Sequence, residues 1–154
     1  MDILILFLFS IVLVIGSWTI GLIINLAILK QPFYERISHM NFIRSEAVNK
    51  AIGVELVRWG AMNTFFRFFN PNIHLSNSAG VDRLTEIRKQ MTHSEIGHLI
   101  AFVAVVVYSI FMAVNGRLLF AGMLTLSNFF LNLHPSLLQQ QNKRRIDQVL
   151  QRYS

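Results

Sequence analysis

The chain contains no cysteine, which excludes a disulfide framework, a thiol nucleophile and a thiolate metal site. Charge is scarce too. Only 14% of the 154 residues are charged, whereas 53% are hydrophobic, and the positive mean hydropathy of +0.48 argues against an ordinary soluble domain. Several signatures are absent: G-x-S-x-G, H-E-x-x-H, a P-loop and G-x-G-x-x-G. Serine-elbow hydrolysis, zincin chemistry and loop-cradled nucleotides therefore lack their motifs.

What the sequence does have is two long apolar runs, and about 20 such residues span a bilayer's hydrocarbon core. The first runs from Ile3 to Leu29; the second, Ile96 to Leu138, is divided by the turn signal "NGR" at Asn115–Arg117. The expected fold is all-α and integral to the membrane. It has three transmembrane helices, at about 3–29, 96–114 and 118–138, and a cytoplasmic middle segment, 30–95, in one membrane domain. The first run reads as a retained anchor. Asp2 and no base precede it, it is longer than the 7–15 residues usual in a signal peptide, and no clear small-residue cleavage site follows.

Lysine and arginine set the expected orientation. None precedes the first span, nine lie between Lys30 and Lys89, one is Arg117 and four lie from Lys143 to Arg152. The positive-inside rule puts the amino terminus and the "NGR" turn outside, and the middle segment and carboxy terminus in the cytoplasm. The net charge of +6 thus reports topology first. No nucleic-acid recognition module accompanies it, and no nucleic-acid partner is expected.

In the middle segment, residues 70–80, "NPNIHLSNSAG", read as a loop. Before it, 49–69 is amphipathic at helical period, with Val57, Ala61, Phe65 and Phe68 on one side and Glu55, Asn63, Arg67 and Asn70 on the other. This suits an interfacial or re-entrant helix, or one packed on the other helices. From Val81 no breaker intervenes before the second span, so one continuous helix is expected to project from the membrane. Leu84, Arg88, Met91, Glu95, His98 and Phe102 share one face of it.

In the third span, Asn128, Asn132, Pro135, Gln139 and Asn142 recur at steps of four and three, forming a second polar stripe. Either stripe facing lipid would leave hydrogen-bonding groups unpaired, so the two are expected to face a shared interior. Glu95, His98, Asn132, Gln139 and Asn142 make the candidate site. His98 suits a general acid or base, with Glu95 or an amide fixing its tautomer. The amides suit a developing oxyanion, and Arg88 or Arg145 a ligand's phosphate or carboxylate. Acyl transfer to a hydroxyl needs such a set and no covalent nucleophile. Because none of the five histidines has an aspartate five residues on, the His-x4-Asp acyltransferase motif is missing. Glu95-x-x-His98 copies the spacing of carboxylate-bridged metal sites, but the other spans supply no matching carboxylates, and no metal is expected.

Glu95-x-x-His98 opening one span, with Asn132, Gln139, Asn142, Arg145 and Ile146 closing the next, resembles the glycosyl-diaponeurosporenoate acyltransferase family over the carboxy-terminal third. The resemblance implies a small bacterial membrane protein that moves a fatty acyl group from an acyl-CoA-like donor onto a sugar hydroxyl of a carotenoid glycoside. On that reading His98 is the base, oriented by Glu95; Asn132 and Gln139 contact the acyl carbonyl or the acceptor. Asn142 ties the end of the span and Arg145 meets the donor's phosphate. No bound cofactor is implied beyond the donor as co-substrate. The implied partners are membrane lipid and a lipid-linked or glycolipid acceptor, and a homo-oligomer is compatible with the sequence. The chain departs from the family pattern at His134-Pro135, where the family's proline comes one residue earlier, and at Gln140 and Gln141. Two other classes fit the stripes: a non-enzymatic membrane subunit or lipid-binding scaffold, and a small transporter using Glu95 and His98 as a proton relay.

Overall fold

A computed structural model describes residues 2–40 and 80–153, with the single residues 43, 45, 48, 50, 53 and 59. The amphipathic 49–69 stretch and the 70–80 loop lie essentially outside the described residues. Numbered in chain order, the described helices are α1 (Ile3–Ile28), α2 (Tyr34–Ser38), α3 (Val81–Val114), α4 (Leu118–Asn128) and α5 (His134–Leu150). A π-helical turn, Phe129–Leu133, joins α4 to α5.

By length and composition, α1 and α3 can each cross a membrane. The 34 residues of α3 reach about 51 Å at 1.5 Å per residue, well beyond a hydrocarbon core about 30 Å thick. Its first turns, with Asp82, Arg83, Glu86, Arg88 and Lys89, are too charged for that core. The third apolar stretch is not the single regular span expected from sequence; it is α4, the π turn and α5 in succession. Pro135 supplies the physical reason, because its ring would clash with the carbonyl four residues back and it has no N–H to donate. The widened turn relieves both, with the His134 N–H reaching the Phe129 carbonyl.

Between α3 and α4 the chain reverses at Asn115–Arg117. Gly116 takes φ +78°, a left-handed conformation suited to glycine just past a helix end. The Gly116 and Arg117 N–H groups close on Ala113 and Met112 carbonyls, and the Asn115 amide donates to the Phe111 carbonyl at 2.8 Å.

The bundle is polar within and apolar without. Large side chains such as Ile3, Val12, Ile23, Val107, Val114 and Leu118 are exposed, whereas Ser10, Ser17, Asn25, Glu95, Asn128, Asn132 and Gln140 are buried. That distribution is what hydrocarbon requires of helices carrying polar groups. The buried stripe of α1 is Ser10, Val14, Ser17, Gly21 and Asn25. Its small residues let backbones meet: a Cβ on Gly21 would stand 2.2 Å from the Gly97 carbonyl oxygen of α3. Two apolar clusters pack among the polar groups, Val14, Val105, Phe120 and Leu124 in one and Leu84, Met91 and Ile146 in the other.

The close approach at Gly21 is testable. Gly21→Ala is expected to lower unfolding stability in detergent by about 1–3 kcal/mol, the usual cost of overpacking. Gly16→Ala, where nothing stands within 4 Å, should leave it unchanged; equal effects would contradict this packing.

Candidate active site

Asn132, fully buried on the π turn, is where the helices converge. Its Oδ1 accepts the Trp18 indole N–H at 2.9 Å and lies 3.4 Å from His98 Nδ1. Its Nδ2 donates to Asn128 Oδ1 at 2.7 Å and to Ser17 Oγ at 3.3 Å. Asn128 Nδ2 in turn donates to the Phe102 carbonyl at 3.0 Å. The Trp18 and His98 rings meet edge to face, 5.5 Å between centroids. Thus α1, α3, α4 and the π turn all contribute to the surroundings of one histidine.

One turn away, Glu95 is 1% exposed. Gln140 Nε2 donates to its Oε1 at 2.8 Å, and Lys143 stands against its Oε2 as an ion pair. Lys143 also donates to the Ser38 carbonyl of α2 at 2.6 Å, so the ammonium ties α2, α3 and α5 together. Close by, Asn25 Nδ2 lies 2.7 Å from both the Nδ1 and the carbonyl oxygen of His93. Burial pushes the Tyr34 phenol above its ordinary pKa, opposed by the Asn25 amide and reinforced by the charge of Glu95, so its hydroxyl stays neutral.

The expected stripes thus meet in part. Asn128 and Asn132 do face the helix that carries His98. Past the π turn, however, the inward face continues through Ser136, Gln140 and Lys143, all buried. The expected Gln139 and Asn142 are one residue out of register. The wide turn takes in an extra residue, so a spacing that assumes 3.6 residues per turn throughout slips by one. Among the described residues, the buried amide oxygen of Gln139 has no hydrogen-bond partner. Glu95 and His98, expected as a hydrogen-bonded pair or with an amide in that role, bind different groups; the amide of Asn132 takes the place beside His98. Arg88 is held by Asp147, at 2.5 Å, and lies 3.1 Å from His39 Nδ1. Arg145 is half-buried. Among the described residues no group of three His, Cys, Asp or Glu is placed to hold a metal.

Spacing in the second and third spans passes over Trp18 and Ser17 because both lie in the first. The signal was present as polar and small residues at steps of three and four in α1. Lys143 and Gln140 carried no signal besides Pro135.

Fold and site define a small all-helical protein with two helices able to cross a membrane and a histidine held in a polar interior. The pattern of the glycosyl-4,4'-diaponeurosporenoate acyltransferase family matches residues 30–152, and the chain belongs to that family. The match extends well upstream of the carboxy-terminal third. Membership supports an acyltransferase role and an association with carotenoid biosynthesis, and with α1 and α3 it points to the membrane. No curated protein and no solved structure matched the chain.

The Glu95–Lys143 pair yields a sharp expectation, since removing one partner of a buried pair strands the other. Lys143→Met should cost about 3–5 kcal/mol of stability in detergent. Adding Glu95→Gln to it should restore most of that; a double variant no more stable than the single would contradict the pairing.

Proposed function

We propose that the protein transfers a fatty acyl group from an acyl-CoA-like thioester onto a hydroxyl of a lipid or glycolipid, with His98 as the base. The observation that carries this reading is His98 Nδ1 beside Asn132 Oδ1, an arrangement that leaves Nε2 to accept a proton. The acceptor hydroxyl gives its proton to Nε2 as its oxygen bonds to the acyl carbon. The carbon–sulfur bond then breaks, and the thiolate takes the proton back from the imidazolium. Ser136 Oγ and Gln139 Oε1, buried and without a hydrogen-bond partner among the described residues, suit hydroxyl groups of the acceptor. Arg145 suits the donor's phosphate better than Arg88, which Asp147 already engages. Glu95, clamped by Lys143 and Gln140, holds the helices that carry His98 and Asn132 in register. The distribution of bases puts the amino terminus outside and the donor side in the cytoplasm. A carotenoid glycoside is the acceptor that the family suggests.

The test is mass spectrometry of lipid extracts from a host that contains candidate acceptors, expressing wild type or His98→Gln at equal membrane abundance. Wild type should produce a lipid heavier by one acyl group, and His98→Gln should reduce it by about 10²–10⁴-fold, the usual contribution of a positioned base. Identical extracts would favour the scaffold reading, in which the polar stripes only join helices.

A further inference from the structure

We infer that Trp18 is a positioning residue: its indole N–H fixes the orientation of the Asn132 amide and thereby holds the proton of His98 on Nδ1. The inference rests on the proposed role of His98 as the base and extends the site to α1, which precedes the residues that match the family pattern.

Groups that can only donate or only accept fix the orientation of the network. An indole N–H has no acceptor capacity, so the Asn132 atom 2.9 Å from it is the amide oxygen. At the far end of the network the Phe102 carbonyl can only accept, which turns Asn128 Nδ2 towards it at 3.0 Å and Asn128 Oδ1 towards Asn132 Nδ2 at 2.7 Å. Both ends of the chain of amides therefore impose one orientation on Asn132. His98 Nδ1, 3.4 Å from the same oxygen, faces an acceptor and must carry the hydrogen. In water the neutral imidazole prefers its proton on Nε2, the opposite arrangement. A bond of this length is weak by itself, so it selects the tautomer only while the amide cannot turn. Trp18 is the nearer of the two anchors, bonded to the very oxygen that His98 faces. Phe102 acts through two amides. The indole also packs edge to face on the imidazole, which limits rotation of the ring.

The measurement is ¹⁵N NMR of imidazole-labelled full-length protein in micelles, at a pH where the ring is neutral, with the His98 signals identified by their loss in His98→Gln. Wild type should show a protonated Nδ1 and an unprotonated Nε2. In Trp18→Phe a substantial Nε2–H population should appear, and kcat for acyl transfer should fall about 10-fold or more, as expected when a base is in the wrong tautomer. Ser17→Ala, a neighbour that only accepts from the same amide at 3.3 Å, should keep the wild-type tautomer. A wild-type ring protonated on Nε2 overturns the inference even if Trp18→Phe fails to fold. So does a folded Trp18→Phe with the wild-type tautomer. Because the NMR readout needs no substrate, failure of the proposed reaction is seen separately: a protonated Nδ1 with no acylated product in wild type would refute acyl transfer and leave the placement of the proton intact.

Discussion

Hydrocarbon supplies no hydrogen-bond partners, so each polar group that a membrane helix carries inward has to find its partner on another helix. Asn132 shows how far this constraint organises the protein. Its amide meets Trp18, His98, Asn128 and Ser17, and those four contacts join α1, α3 and α4. Moving any of the helices would strand part of the amide in a medium that cannot replace it. The same logic governs Glu95, whose two oxygens are taken by Gln140 and Lys143.

Interhelical polar contacts run along the bundle, from Ser109–Thr125 and Ser10–Ser127 through Asn132 and Glu95 to Arg88–Asp147. Apolar clusters pack among them, and apolar packing by itself places no demand on direction. The directed hydrogen bonds around Asn132 fix the orientation of the side chains it touches, His98 among them. They also explain why packing between α1 and α3 has to be so close. Gly21 against the Gly97 carbonyl draws Ser17 and Trp18 within hydrogen-bonding reach of the third helical stretch.

Much of this was legible from spacing. Leu84, Met91 and Glu95 fall on the inward face of α3 as a period of 3.6 predicts, and Asn128 and Asn132 do so in the next stretch. Legibility ended at Pro135. Proline was visible in the sequence, but it can end, kink or widen a helix, and only the widened turn moves the inward face from Gln139 and Asn142 to Gln140 and Lys143. The contribution of α1 escaped for another reason. A run hydrophobic enough to be read as an anchor hides a stripe in which serine and glycine weigh little on any hydropathy scale. Trp18 is a lone indole within an apolar run, and its single polar atom acquires meaning only through a residue 114 positions away. The partner of Glu95 could not be read either, because the basic cluster at Lys143–Arg145 serves equally as a topology signal.

The polar stripe of α1 faces the third helical stretch of the same chain. Since the protein has no cysteine of its own, a pair of introduced thiols reports this without background. Ser10 and Ser127 place their hydroxyl oxygens 2.9 Å apart, close enough for a disulfide after small adjustment. Mild oxidation of Ser10→Cys/Ser127→Cys in native membranes should give an intramolecular crosslink, and Ser10→Cys/Leu126→Cys, with Leu126 on the outer surface, should not. A crosslink favouring position 126, or one forming only between chains, would contradict the account.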